Sequence, residues 1–389
     1  MKKILKIVTG IMLLLVTNFF TFVMATGGFI HVDRDKYTQL AKLESFVKQN
    51  YLYDVNEKQL LNGELKGLVA GLKDPYSEYY TREEYDRLME FTTGKFYGIG
   101  VVITRGEDNL ITVISPIKDS PADLAGIKAG DKILKVGDEE FTGDKLQEAT
   151  NVMKGDKGTD IKITVLKKDS GKTEDLTIKR DEIKVDTVHS QIIDDIGYIG
   201  ITQFDDTTGK DFEKALRELE KKEVKGLILD LRRNPGGVVD TAAHIADLLL
   251  PKGIIVYAED KNGKRDFEFN SDENHYDKPI VVLVNEGSAS ASELLSGALR
   301  DYKRATIVGK NTFGKGIVQT ANRFPNGDGI KLTTSEYFLP SGKSIHKLGV
   351  KPDVEVELNK DTQGIGPEFK STDNQLQKAI EILDTKIEK

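Results

Sequence analysis

Cysteine is absent from this 389-residue sequence, which excludes disulfides, thiolate metal sites and a cysteine nucleophile together. Histidine is scarce, and no H-E-x-x-H pair occurs that would indicate a zinc site. The histidines are scattered at His31, His189, His244, His275 and His346. Because lone histidines usually have structural or surface roles, we expect neither a metal site nor a cofactor.

A basic stripe is also missing. The 56 basic and 63 acidic residues are interspersed and give a net charge of −7, whereas a nucleic-acid-binding protein concentrates positive charge on one face. We therefore expect no nucleic-acid partner. Hydrophobic residues make up 38% of the chain, enough for a packed core, and the length favours two or three domains.

The N-terminus combines positive charge with a long uncharged run. Lys2, Lys3 and Lys6 precede the uncharged segment from Ile7 to Met24. This order predicts a signal peptide or signal anchor over residues 1–26, so that the rest of the chain is extracytoplasmic, either membrane-anchored or secreted. Both outcomes stay open, because residues 23–25 offer a cleavage site and the run is long enough to span a bilayer.

Residues 33–93 have a helical pattern. Apolar residues recur at spacings of three and four between Tyr37 and Glu90, which predicts amphipathic helices. Asp74-Pro75 interrupts this pattern, and Thr81, followed by two glutamates, is typical of a helix N-cap.

The periodicity changes from helical to alternating near Gly94, which indicates a new domain made of strands. Residues 95–180 resemble a PDZ domain of the circularly permuted bacterial kind. Two motifs support the resemblance: the Y-G-I-G-V loop from Tyr97 to Val101, and the S-P-A-x-x-A-G-I-x-x-G-D-x-I block from Ser120 to Ile133.

The Y-G-I-G loop predicts a peptide-binding site. Its candidate residues are Tyr97, Gly98, Ile99 and Gly100. Glycines let consecutive N–H groups point at a terminal carboxylate while the bound peptide adds a strand alongside. The alternative is that the two glycines merely mark a turn.

After Asp181, predicted strands and helices alternate, which indicates an α/β layer with parallel strand pairing. The predicted strands cover residues 196–204, 224–231, 279–284 and 305–308. The predicted helices cover residues 207–221 and 239–250 and begin again at Ser290.

The segment G-K-N-T-F-G-K-G, from Gly309 to Gly316, is one serine short of a Walker A loop. The missing hydroxyl would be the magnesium ligand, and the residues after Lys315 are β-branched and extended rather than helical. A phosphate-binding loop is therefore disfavoured. Lys315 instead lies in a largely apolar stretch, where burial would lower its pKa toward that of a useful general base.

The segment Ser288-Ala289-Ser290-Ala291-Ser292-Glu293 lies where a predicted buried strand turns into a helix. Small residues leave space for a substrate backbone there, and the N–H groups of a helix start face any adjacent anion. This is a suitable position for a nucleophilic serine. No histidine lies in a recognisable triad motif, but a lysine of lowered pKa can act as the base.

Together, N-E-G-S-A-S-A-S-E, T-F-G-K-G-I-V-Q and the N-P-G-G turn resemble the carboxy-terminal processing proteases, a Ser/Lys family with a PDZ domain. The resemblance implies a crotonase-like α/β protease core over residues 182–358 with the PDZ domain inserted before it. It also assigns roles, with Ser290 as nucleophile, Lys315 as general base and Gln319 orienting the lysine. The implied oxyanion donors are the backbone N–H groups of Gly236 and Ala291.

Some assignments have structural alternatives. The three alternating serines allow the motif to be placed two positions earlier or later, with Ser288 or Ser292 as the nucleophile instead of Ser290. The structural alternatives for these two residues are a helix N-cap for Ser288 and a packing hydroxyl for Ser292. Gln319 could be a surface residue, although strand alternation predicts that it shares a face with Lys315. Arg232 and Arg233 could bind a substrate carboxylate or form a solvated pair at the end of a strand.

The resemblance therefore implies a serine endopeptidase that cleaves near the C-termini of extracytoplasmic proteins, with the PDZ domain binding the substrate tail or gating the site. Apolar stripes in residues 37–92 and in a helical tail over residues 359–389, especially 374–387, predict homodimer contacts. The alternative is a non-catalytic PDZ adaptor on a degenerate protease core.

Overall fold

The computed structural model describes residues 34–93 and 95–388. The predicted signal segment, residues 1–26, lies outside this part of the chain. None of the helices in the described residues is both long and apolar enough to cross a membrane. Contacts divide the chain after Leu65 into two compact units.

The first unit contains helix α1 (Arg34–Asn50) and the start of helix α2 (Glu57–Ala70). Lys48 on α1 joins the two helices through an ion pair with Glu57 on α2, and it also pairs with Glu44 within α1. Several large apolar side chains of this unit are exposed, namely Tyr37, Leu40, Leu43, Phe46, Tyr51, Leu52, Tyr53 and Leu61.

The second unit begins within α2 and continues with strand β1 (Glu78–Tyr80) and helix α3 (Arg82–Thr93). The predicted cap at Thr81 is confirmed, because its N–H donates to Glu84 Oε2 over 2.9 Å and its hydroxyl accepts from the Glu84 N–H over 3.4 Å. The sequence pattern missed β1, a three-residue strand that pairs with residues 329–331.

The next elements build the PDZ domain. They are β2 (Lys95–Gly98), β3 (Val101–Arg105), β4 (Ile111–Pro116), α4 (Pro121–Leu124), β5 (Lys132–Val136), β6 (Glu139–Glu140), α5 (Leu146–Met153), β7 (Asp160–Leu166), β8 (Thr173–Lys179) and β9 (Asp181–Lys184). A six-stranded sheet has the order β3-β4-β5-β7-β8 with β6 on β5, and β2 pairs separately with β9. Ile111, Ile133 and Ile163 lie fully buried in the core of this domain.

The remaining elements build the α/β core. They are β10 (Val188–Ile193), β11 (Ile196–Ile201), α6 (Thr208–Lys221), β12 (Gly226–Asp230), α7 (Val239–Asp247), β13 (Gly253–Asp260), β14 (Arg265–Ser271), β15 (Ile280–Val284), α8 (Ala291–Asp301), β16 (Ala305–Gly309), β17 (Ile317–Arg323), β18 (Gly329–Phe338), β19 (Val354–Glu355) and α9 (Asn374–Ile387). Their main sheet has the order β10-β11-β12-β15-β16-β19 and is parallel except at β10.

Strands β12 and β15 are buried along their whole length, as expected for parallel strands that are covered on both faces. Helices α6, α7 and α8 contribute to the larger hydrophobic core on one face, and α9 contributes to a smaller core on the other. The α/β core with an inserted PDZ domain and flanking helices is therefore confirmed. A second sheet, β1-β18-β13-β14 with β17 on β18, borders this core.

Helix α9 begins and ends where the sequence pattern predicted, but its apolar face is covered. Leu376, Ala379 and Leu383 are fully buried, and the helix packs on β12, β15 and β16. The expectation that this tail presents an exposed apolar stripe to a dimer partner is wrong, because the stripe is part of the chain's own core.

Candidate active site

Ser290 is the residue just before α8, and its backbone is strained. Its φ of 54° and ψ of −115° lie in a region that residues other than glycine rarely occupy. A sharp, strained strand-to-helix turn is the geometry that exposes the hydroxyl in serine nucleophile elbows. The side chain is 9% exposed. Ser290 therefore has the backbone geometry of a nucleophile.

The neighbouring serines have structural partners. The Ser288 hydroxyl donates to the Leu231 carbonyl over 2.8 Å and accepts from the Asn285 N–H over 3.0 Å. The Ser292 hydroxyl donates to the Asn234 carbonyl over 3.0 Å. Both serines are fully buried. Ser288 is not a helix cap, because Ser290 occupies the N-cap position of α8.

Glu293 joins the segment that contains Ser290 to the segment that contains Lys315. Its carboxylate is fully buried and accepts from the N–H groups of Ser290 (2.8 Å), Gly314 (2.6 Å) and Lys315 (2.8 Å) and from the Thr312 hydroxyl (2.5 Å). This role of Glu293 was not among the predictions from the sequence. The sequence signal for it is an acidic residue three positions after an N-cap serine, a pattern that completes a capping box.

Lys315 lies half-buried in the loop between β16 and β17, with no helix after it, as the sequence predicted. Its Nζ lies 5.1 Å from the centre of the Tyr76 ring. Across residues 34–93 and 95–388, Nζ makes no hydrogen bond or ion pair. Burial lowers the pKa of Lys315, with a further contribution from the positive charge of Lys331, and these effects outweigh the opposing charges of Asp74 and Glu293.

Gln319 lies on β17, but its amide is not hydrogen-bonded to Lys315. Its Nε2 donates to the Ile317 carbonyl over 3.3 Å. The register between β17 and β18 shifts between Val318 and Gln319, which disturbs the simple alternation of faces assumed from the sequence. The orienting role of Gln319 stays a prediction.

The N-P-G-G turn lies directly against the segment that contains Ser290. A Cβ added to Gly236 would lie 2.9 Å from Ser290 Cβ and 3.0 Å from the Ala291 nitrogen, and the φ of Gly236 is 98°. The Gly236 N–H donates to Asn234 Oδ1 over 2.9 Å. Ala291 is the first residue of α8, so its N–H has no carbonyl partner within the helix. Both predicted oxyanion donors therefore lie beside Ser290.

Arg232 does not face a substrate. Its guanidinium is buried and donates to the carboxylates of Asp230 and Asp373 and to Gln375 Oε1. Tyr198 also donates to Asp230, over 2.9 Å. The idea that Arg232 binds a substrate carboxylate is wrong, because its side chain is committed to this buried network. The neighbouring Arg233, by contrast, is exposed.

The PDZ domain contains an apolar cavity of about 240 Å³. Its lining includes Ile103, Ile117, Met153 and Ile183, together with the predicted residues Tyr97–Gly100, of which Tyr97 and Gly98 form the end of β2. Strand β3 pairs only with β4 among the described strands, so its other edge is unpaired. The cavity and this edge have the features of a peptide-binding groove.

Three family models match the chain. The peptidase family S41 model matches residues 195–356, a PDZ domain model matches residues 112–167, and the model of the activating protease CtpB N-terminal domain matches residues 29–84.

Two relatives are similar to this chain in sequence over most of its length. The carboxy-terminal processing protease CtpA of Bacillus subtilis (strain 168) is 41% identical over 325 residues, which cover 83% of this chain and 69% of the relative. A carboxy-terminal-processing protease of Bartonella bacilliformis is 38% identical over 365 residues, which cover 92% and 83% of the two chains.

Solved structures agree with this fold. The photosystem II D1 C-terminal processing protease has a TM-score of 0.50 at 29% identity, covering 83% of this chain and 89% of that chain. An S41 protease from Bacteroides fragilis has a TM-score of 0.53 at 18% identity, and the match covers 88% of this chain and 96% of that chain. At this identity the match supports the fold and nothing further.

The fold and these matches define a serine-type peptidase with an inserted PDZ domain. Within that class, the chain belongs to the carboxy-terminal processing proteases of peptidase family S41.

Proposed function

We propose that this chain is an endopeptidase that cleaves extracytoplasmic proteins near their C-termini, with Ser290 as nucleophile and Lys315 as general base. The main support is the shared carboxylate of Glu293, which accepts from the backbone N–H groups of both residues. The strained backbone of Ser290 and the lowered pKa of Lys315 fit the same roles.

In the proposed reaction, Ser290 Oγ attacks the carbonyl carbon of the scissile peptide and its proton passes to the neutral Lys315 Nζ. The new Oγ–C bond gives a tetrahedral oxyanion. As the C–N bond breaks, the Lys315 ammonium returns the proton to the leaving amine, and an acyl-serine remains. A water molecule, deprotonated by Lys315, then attacks the acyl carbon. As the Oγ–C bond breaks, the Lys315 ammonium returns the proton to Ser290 Oγ, and the product leaves as a carboxylic acid that ionises in water.

The oxyanion would accept from the N–H groups of Gly236 and Ala291. In this structure the Gly236 N–H donates to Asn234 Oδ1. When the oxyanion forms, this N–H must donate to the oxyanion instead of Asn234 Oδ1, or to both acceptors. The carbonyl oxygen of the Gln319 amide would accept from Lys315 and fix the direction of the amine. In this structure the amide nitrogen of Gln319 donates to the Ile317 carbonyl, so the amide oxygen is the atom that would have to reach Lys315 Nζ.

The PDZ domain would bind the substrate tail. A peptide adding to the unpaired edge of β3 would place its terminal side chain in the apolar cavity and its carboxylate at the N–H groups of Tyr97, Gly98, Ile99 and Gly100. The apolar lining favours an apolar terminal residue. Occupation of this groove could also gate the active site.

Residues 1–26 would export the chain and either anchor it in the membrane or be removed. A homodimer is proposed through the first unit, where Leu43 is 60% and Phe46 64% exposed on α1. Sedimentation velocity of the full chain should give a dimer, and Phe46→Ser should shift it toward monomer. A monomeric unmodified chain would exclude this part of the proposal.

The catalytic assignment is tested by alanine variants and a peptide that ends in an apolar residue. Ser290→Ala and Lys315→Ala should each abolish cleavage and leave tail binding intact. Ser288→Ala and Ser292→Ala are matched controls that should keep measurable turnover when folded. If both Ser290→Ala and Lys315→Ala still cleave, the assignment is wrong. If the unmodified chain cleaves no tail even after PDZ deletion, a non-catalytic adaptor is favoured.

Tail binding is tested separately in the Ser290→Ala background. Ile103→Asp places a charge in the apolar cavity and should weaken tail binding by about tenfold or more. Thr104→Asp, on the exposed face of the same strand, is the matched control. Amidating the terminal carboxylate of the peptide should weaken binding similarly. Unchanged binding in both experiments would exclude the PDZ groove as the tail site.

A further inference from the structure

A short turn before β1 brings an aromatic ring against Lys315. We propose that Tyr76 is a positioning residue for the general base, with its ring face directing Lys315 Nζ and favouring its protonation during acyl transfer. This inference rests on the proposed role of Lys315. Its basis is the distance of 5.1 Å between Nζ and the ring centre, together with the rigid mounting of the ring.

The turn that contains Tyr76 is fixed by Asp74. The Asp74 carboxylate accepts from the Tyr76 N–H over 3.0 Å and from the Ser77 hydroxyl over 2.6 Å, and the Ser77 N–H donates to the Asp74 carbonyl over 3.3 Å. Pro75 occupies the second position of the turn, where its fixed φ is favourable. The backbone that bears the ring therefore has little freedom.

The same turn is attached to the sheet that continues from Lys315. The Ser77 hydroxyl accepts from the Thr333 N–H over 3.0 Å, and Thr333 on β18 is paired with Gln319 on β17. Strand β17 begins two residues after Lys315, at Ile317. The ring and the lysine are thus held by adjoining parts of one sheet, which fixes the distance between them.

An aromatic face has two effects on an amine. It keeps water from one side of the neutral base, and it attracts the ammonium electrostatically. In the proposed reaction, the neutral Lys315 amine becomes an ammonium as the Ser290 Oγ proton moves to Nζ and the Oγ–C bond forms. The contact with Tyr76 is therefore stronger in the transition state than in the substrate complex that contains the neutral amine, which is the condition for raising kcat.

Other charges around Lys315 come from three elements. Lys331 on β18 disfavours the ammonium, whereas Asp74 in the turn and Glu293 on α8 favour it. His346 in turn acts electrostatically on Asp74. Within the described chain none of these groups makes a hydrogen bond or ion pair with Nζ. The Tyr76 ring, by contrast, lies 5.1 Å from the amine and can be changed without altering any of these charges.

The test measures the pKa of Lys315 without relying on activity. The full chain is trace-labelled with acetic anhydride, which acylates neutral amines, and the rate at Lys315 is followed against pH by peptide mass spectrometry. The pH dependence of kcat/KM is measured in parallel. Tyr76→Leu removes the aromatic face but keeps an apolar side chain. It should lower the pKa of Lys315 by about half a pH unit and kcat by about threefold to tenfold.

Two further variants sharpen the test. Tyr76→Phe keeps the ring and should keep the pKa of Lys315, whereas Tyr76→Trp enlarges the face and should raise it. Tyr257→Leu is the matched control, because Tyr257 lies 4.0 Å from the Arg265 guanidinium in a different cation–aromatic pair. It should leave the labelling profile of Lys315 unchanged.

An unchanged labelling profile in Tyr76→Leu overturns the inference, and so does an equal change in Tyr76→Phe. If Tyr76→Leu does not fold, Tyr76→Trp decides, and a pKa that does not rise overturns the inference. Failure of the proposed function is distinguishable. In that case Lys315→Ala still cleaves, while the labelling profile continues to report whether the ring acts on the amine.

Discussion

The backbone N–H groups of Ser290 and Lys315 donate to the same carboxylate oxygen, Oε2 of Glu293, each over 2.8 Å. The two residues therefore have a common anchor that does not depend on contact between their side chains. Because the anchor is buried, its hydrogen bonds are protected from water and are costly to lose.

Glu293→Gln should disrupt this anchor. An amide has one acceptor oxygen, so its NH₂ group would face N–H donors that now have a carboxylate oxygen. We expect kcat to fall by about a hundredfold, because small displacements of reacting groups have large effects on rate. The measurement is kcat on a tail peptide, with thermal unfolding to confirm folding. Glu286→Gln, at an exposed glutamate nearby, is the control. Wild-type kcat in Glu293→Gln would contradict the anchoring role.

Gly236→Ala should damage the proposed oxyanion site. The added Cβ would lie 2.7 Å from the Ala289 carbonyl oxygen and 2.9 Å from Ser290 Cβ. We expect kcat to fall by about a hundredfold or more and tail binding to persist. Gly263→Ala is the matched control, because Gly263 also has a positive φ but has no neighbour within 4 Å of an added Cβ. Equal activity losses in the two variants would mean that backbone strain alone is responsible.

Lys315→Met should stabilise the protein while removing activity. Burial lowers the pKa of Lys315, so the folded state disfavours the ammonium. The resulting cost is fully present below the folded-state pKa and disappears as the pH rises through the unfolded value, near pH 10. We expect a gain of roughly 0.5–1 kcal/mol at pH 7 that shrinks toward pH 10, measured as the free energy of unfolding in urea. Lower stability of the variant at pH 7 would refute this account.

Asp373→Asn should weaken the buried network around Arg232. Burial alone would raise the pKa of Asp373, but hydrogen bonds from Arg232 and from the N–H groups of Gly366 and Leu376 outweigh it and lower the pKa. The variant should lose about 3 kcal/mol at pH 7, because a buried charge loses an anionic partner. A carboxyl group whose pKa is lowered by folding stabilises the folded state at pH values above its unfolded-state pKa. The difference in stability between Asp373→Asn and wild type should therefore diminish below about pH 4.

Denaturant unfolding at pH 7 and pH 3.5 measures this difference. Asp361→Asn, at an exposed aspartate, is the control and should change stability little at either pH. A constant difference between Asp373→Asn and wild type across the pH range would show that the ionised carboxylate is not the source of the stability.

The strands that could be predicted from sequence are those with a continuous apolar pattern. Strands β12 and β15 are buried on both faces, so their residues form short apolar runs. The edge strand β10 was missed because a run of exposed residues breaks any apolar period. The hairpin β13–β14 was missed as well, although β13 contains a short apolar run and the inward residues of β14 alternate with exposed ones. Strand β1 has three residues and depends on a partner about 250 residues later in the chain.

In the candidate site too, some residues could be predicted from the sequence and others could not. Ser290 and Lys315 could be proposed because they lie in short motifs with a known local setting. The contact of Tyr76 with Lys315 could not, because it joins residues far apart in sequence and depends on how the turn is attached to β18. The position of Gln319 depends on a register shift, which hydrophobic alternation alone does not reveal.

The pairing of β2 with β9 brings the two ends of the PDZ domain together. Gly98 and Asp181 are opposite each other in this two-stranded ladder, so the chain leaves and re-enters at neighbouring points. A tight connection between these residues could replace everything between them and preserve the ladder. If the PDZ domain binds the substrate tail as proposed, replacing the segment between Gly98 and Asp181 would alter tail binding and leave the strands of the α/β core in place.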